Sequence, residues 1–97
     1  MTTTLTADQA AHGIIDLLNT SVLADADAVL DDGGVGAWLS KALPQRERLS
    51  SGEKVLLNVV LFVYNGGGNA TLNDLTVLDR ATLAQVLTVI QHRFGGV

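Results

Sequence analysis

The chain has 97 residues, 47% of them apolar and only 16% charged, with a net charge of −4 and no cysteine. A chain this short buries roughly 60–65% of its unfolded surface and cannot divide that core, so we expect one domain over 6–97 preceded by a flexible tail, 1–5. The composition excludes a disulfide framework and cysteine-ligated metal, and the longest nearly apolar stretch, 55–64, is about half of what a membrane-spanning helix needs.

Helix signals start directly after the threonine-rich tail. Thr6 followed by Gln9 reads as a capping box, and Ala10, Ile14, Leu17 and Leu18 share one face of a helix over 7–19. A second helix follows Thr20 or Ser21, with Val22, Ala26, Val29 and Leu30 inward, and Gly33 and Gly34 end it. A third, over 35–43, turns Val35, Trp38, Leu39 and Leu43 inward and stops where Pro44 biases Leu43 away from helical angles. Residues 44–49 read as a polar, basic connector.

Ser50 and Glu53 form a second capping box, and the run 55–63 follows, apolar except for Asn58. Its many valines and the hairpin-like Tyr64, Asn65, Gly66 suit a strand, but the capping box and the helical neighbours favour a central helix over 51–64. After the glycines 66–68, Thr71 and Asp74 cap a short turn through Leu72, Leu75 and Leu78. Asp79 then opens a last helix with Leu83, Val86, Leu87, Ile90 and Phe94 on one stripe, Val89 pointing away from it, and His92 and Arg93 in its last turn. The expected fold is all-α, a small bundle of about five short helices around the central one.

Few residues suggest chemistry. His12 and Asp16 share a helix face at the spacing of a base and its orienter, but such pairs are usually solvated surface contacts. Asn65, Gly67, Asn69 and Thr76 fall where calcium-loop ligands would stand, without one carboxylate, and two distant histidines do not complete a zinc site. Neither Gly33, Gly34 and Gly36 nor the glycines 66–68 are followed by the residues of a phosphate loop. We therefore expect no metal, no cofactor and no enzymatic activity.

Charge is uneven. Residues 1–40 carry six aspartates and no base, whereas Lys41, Arg46, Arg48 and Lys54 outnumber Glu47 and Glu53 in the next segment. Those four bases form a candidate charged docking site, unless the two regions simply attract each other across the fold. A helix-turn-helix-like nucleic-acid regulator is one alternative, opposed by the net charge of −4. A small enzyme with an unrecognised site is the second.

A mean hydropathy of +0.33 is oily for so small a chain. It favours a protein–protein interaction module, such as an adaptor, an inhibitor or an assembly subunit, acting through an apolar helical surface. The expected interface is Val55, Asn58, Val59, Phe62 and Val89, used by a protein partner of unknown identity or by a second copy in a twofold homodimer. No basic and apolar leader opens the chain, so a cytoplasmic location is expected. The wealth of Ala, Gly, Val and Asp beside two lysines suits a GC-rich bacterium or phage.

Overall fold

Two capping boxes set the two helices at the centre of the molecule. The computed structural model describes residues 5–18, 20–66 and 74–95. Helix α1 (Ala7–Ile15) begins where the Gln9 N–H donates to Thr6 Oγ1 at 3.1 Å and the Thr6 N–H donates to Gln9 Oε1 at 3.0 Å. These contacts satisfy two of the backbone donors that a helix start leaves open. It ends four residues earlier than the expected 19. The N–H groups of Leu17 and Leu18 bond the carbonyls of Ile14 and Ile15 in a tighter turn, which brings Leu18 into the core.

Thr20 caps a 3-10 turn (Ser21–Leu23) that leads into α2 (Ala24–Ala42). The expected second and third helices share this one span, so four α-helices rather than about five are counted among the described residues, and the break expected at Gly33 and Gly34 is present within the span as a sharp kink. The kink is at Gly34, whose φ of 74° and ψ of −168° lie outside helical space. Val35, Trp38, Leu39 and Ala42 face the core beyond it.

Leu43 departs from expectation twice. Its backbone is helical, φ −57° and ψ −42°, because the chain continues past Pro44 in a 3-10 turn (Leu43–Arg48). A proline in a first helical turn lacks only an N–H that would have had no partner there. Leu43 also lies one residue beyond the inward stripe, so its side chain is 40% exposed rather than buried.

The 55–63 run is helical. It belongs to α3 (Ser51–Asn65), which starts at the Ser50 and Glu53 capping box and ends at Gly66 in the left-handed conformation. There is no strand among the described residues. Helix α3 buries Val55, Leu56, Leu57, Val59, Val60 and Val63, and α1 packs along it more extensively than any other pair of elements meets. A 3-10 turn (Asp74–Val77) sends Leu75 inward. The expected cap at Thr71 and the inward Leu72 lie outside the described residues.

Helix α4 (Arg80–Ile90) is capped by Asp79 and continues into a π-helical turn (Gln91–Gly95). Its rotation differs from the expected one. Val86 is fully buried with Leu83, Val89 and Ile90 partly covered around it, whereas Leu87 is 45% exposed. Val89 therefore packs against the core and Leu87 faces out, because the inward face is set by what α1 and α3 present. The turn after α4 ties the ends together: the Leu5 N–H donates to the His92 carbonyl at 2.9 Å, and Arg93 Nε donates to the Val63 carbonyl at 3.0 Å. The second bond satisfies one of the last carbonyls of α3, and the first draws Leu5 into the fold.

The core is wholly apolar, with no polar or charged side chain buried among the described residues. The radius of gyration, 12.7 Å, is close to the ~12.5 Å of a compact chain of this length.

Candidate interaction surfaces

Close contact between α1 and α4 builds a concave feature. Gly13, inside α1, has no side chain where a Cβ would stand 3.3 Å from Val89 Cγ2. Beside this contact lies an open groove of about 390 Å³ lined by Gly13, Ala84, Gln85, Thr88 and Val89. Thr88 Oγ1 donates to the Ala84 carbonyl at 2.9 Å, so its hydroxyl is held by its own helix. Small side chains and one amide thus form the lining. Leu87 is exposed one turn along α4 from Ala84 but does not line the groove.

Of the residues expected at an interface, Val59 is fully buried and Val55 is 9% exposed. Both are committed to the chain's own core, and they offer no surface. Asn58 and Phe62 are half-buried on α3, and Val89 lines the groove. The groove residues Gly13, Ala84, Gln85 and Thr88 escaped the sequence reading. Gly13 was the available sign, since a glycine inside a helical pattern often marks a close approach.

The four bases separate into two groups. Lys54 Nζ lies 4.0 Å from Glu47 on the surface, whereas Lys41, Arg46 and Arg48 are exposed near the end of α2 and along the turn after it. Arg48 Nη1 donates to Gln45 Oε1 at 2.9 Å. His12 approaches Asp8 at 3.9 Å rather than the expected Asp16, which caps the end of α1. Asp27, one of the six aspartates of residues 1–40, accepts the Trp38 indole N–H at 2.9 Å. The ring is fully buried and its donor needs that partner.

Among the described residues no group of three or more His, Cys, Asp or Glu side chains could hold a metal ion. Of the calcium-loop positions, Gly67 and Asn69 lie outside the described residues. No described helix is long and apolar enough to cross a membrane. No family model matches the chain, nor does any curated protein or solved structure.

Proposed function

We propose that the chain is a protein–protein interaction module, an adaptor, inhibitor or assembly subunit, which docks a partner on the outward side of α4 and the groove beside α1. The observation that carries this reading is Leu87, a large apolar side chain 45% exposed on α4 one turn from Ala84, which lines the groove. A partner laid across the outward side of α4 would cover Leu87 on one flank and fill the groove on the other. Buried anchors of this kind supply most of the binding free energy at protein interfaces. Helical bundles host many functions, so the reading rests on this surface and not on the fold.

The test is capture from a lysate of the source organism, with the wild type and Leu87→Asp as parallel baits. Both positions affected by Leu87→Asp and a second bait, Ala84→Glu, are exposed, so folding should survive. The reading predicts a protein retained by the wild type and lost from both variants. Retention of the same proteins by all three baits would refute it.

A further inference from the structure

The two halves of α2 are held to the rest of the chain very differently. The second half is fixed in the core: Val35, Trp38, Leu39 and Ala42 are buried, and Gly36 lies against α3, where a Cβ would stand 3.7 Å from the Tyr64 phenol oxygen. The first half, 24–33, buries Ala26 alone, with Val29 and Leu30 partly covered and Asp25, Ala28, Asp31 and Asp32 exposed. Buried apolar area is what ties a helix down, and segments with little of it open first.

Both ends of this first half are joints. Leu23, with φ −101° and ψ 19°, and Gly34, with φ 74° and ψ −168°, lie outside α-helical space, and the backbone between them is helical. Gly34 also has room to move, since no atom lies within 4 Å of a Cβ built there. Glycine takes positive and negative φ about equally well, so its backbone can absorb the rotation of a rigid segment.

Across the kink, the Trp38 indole N–H donates to Asp27 Oδ1 at 2.9 Å. Asp27 is exposed and the indole is fully buried, so the bond pulls a carboxylate on the solvent side onto a core ring. A hydrogen bond to an ionised acceptor is stronger than a neutral one.

We propose that residues 24–33 form a strap over Trp38, which swings out on the joints at Leu23 and Gly34 while α1 and α3 stay folded, and that Asp27 is its latch. Closed, the strap satisfies the indole donor and hides the ring. Open, it passes the N–H to water and uncovers Trp38, an aromatic surface absent from the closed form. Asp27 is a positioning residue, acting only through its hold on the ring. None of these residues lines the groove beside α4.

Native-state hydrogen exchange in increasing, sub-denaturing urea tests this, with Trp38 as the single tryptophan and its indole N–H as a resolved probe. The indole N–H and the amides of 24–33 should exchange through one shared opening. Their protection should be at least about tenfold lower than that of Val55 to Val63, and should depend less on urea, because a local opening exposes less surface than global unfolding. Asp27→Ala should raise indole exchange about tenfold or more. Acrylamide should then quench Trp38 more strongly, with the helical circular dichroism spectrum retained. Asp27→Asn, whose side-chain oxygen still accepts, should stay much nearer to the wild type. Indole exchange with the protection and urea dependence of α3 would overturn the proposal. So would an Asp27→Ala variant that exchanges like the wild type, or an Asp27→Asn variant that exchanges like Asp27→Ala. The wild-type urea dependences decide the matter even if Asp27→Ala fails to fold.

Discussion

Replacing Gly34 by alanine should destabilise the protein although the added methyl group meets nothing. No atom lies within 4 Å of the position its Cβ would take, so the effect is purely one of backbone conformation. Its φ of 74° with ψ of −168° is the mirror image of an extended conformation, essentially reserved for glycine. Holding an L-residue there costs on the order of 1–3 kcal/mol. Alanine also restricts the unfolded chain, which offsets about 0.4–1 kcal/mol. The net loss is about 1–2 kcal/mol, or roughly 4–16 °C in Tm for a chain of this size.

Gly52→Ala is the internal control. Its Cβ would sit 3.8 Å from Leu78 Cδ2, an ordinary contact on a helical backbone, so a gain of up to about 1 kcal/mol is expected. Thermal and urea melts followed by circular dichroism, at matched protein concentration, measure both. A Gly34→Ala variant that melts at or above the wild type would show that α2 runs straight through residue 34, and the kink would be refuted.

Further outcomes follow from the same packing. Gly33→Ala should also destabilise, since its Cβ would collide with Ala37 Cβ across the kink, and the same melts check this. Asp27→Ala leaves the buried Trp38 N–H without its acceptor; a loss of about 1–3 kcal/mol in urea melts, with altered indole fluorescence, is expected. Leu57→Ala should cost about 2–5 kcal/mol by opening a cavity in α3, measured in the same way. Hydrogen bonds from the Thr82 backbone and side chain hold the Asp79 carboxyl below its ordinary 3.8. A pKa lowered by folding contributes stability above the unfolded value and loses it as pH falls through the folded one. An acid titration of Tm should therefore show wild type and Asp79→Ala converging below about pH 4 and separating above it.

Helix starts were the most legible part of the sequence, because a cap is a local pattern. Thr6 with Gln9, Ser50 with Glu53, and Asp79 marked three N-termini, and Gly66 marked one end. The break at Gly33 and Gly34 and the helix beyond it were also visible, but not the sharp angle between the two halves of α2. Helix rotation was not legible. Leu87 and Val89 are similar apolar residues on α4, and only the surfaces of α1 and α3 decide which turns inward. The same limit hid the groove and put Val55 and Val59 at an expected interface. The Trp38 to Asp27 bond spans the kink and depends on its geometry, so no sequence spacing announces it. The two charge blocks were visible from the start.

The claim on which the rest depends is that α3 is a helix whose valine-rich face is buried in its own chain, which moves the proposed interaction surface to α4. Residue-resolved amide hydrogen exchange with backbone chemical shifts, recorded over a range of protein concentrations, tests it most directly. The account predicts helical shifts from Ser51 to Asn65 and slow exchange from Val55 to Val63 that does not change on dilution. Strand-like shifts there, or protection that vanishes as the protein is diluted to protomer, would contradict it.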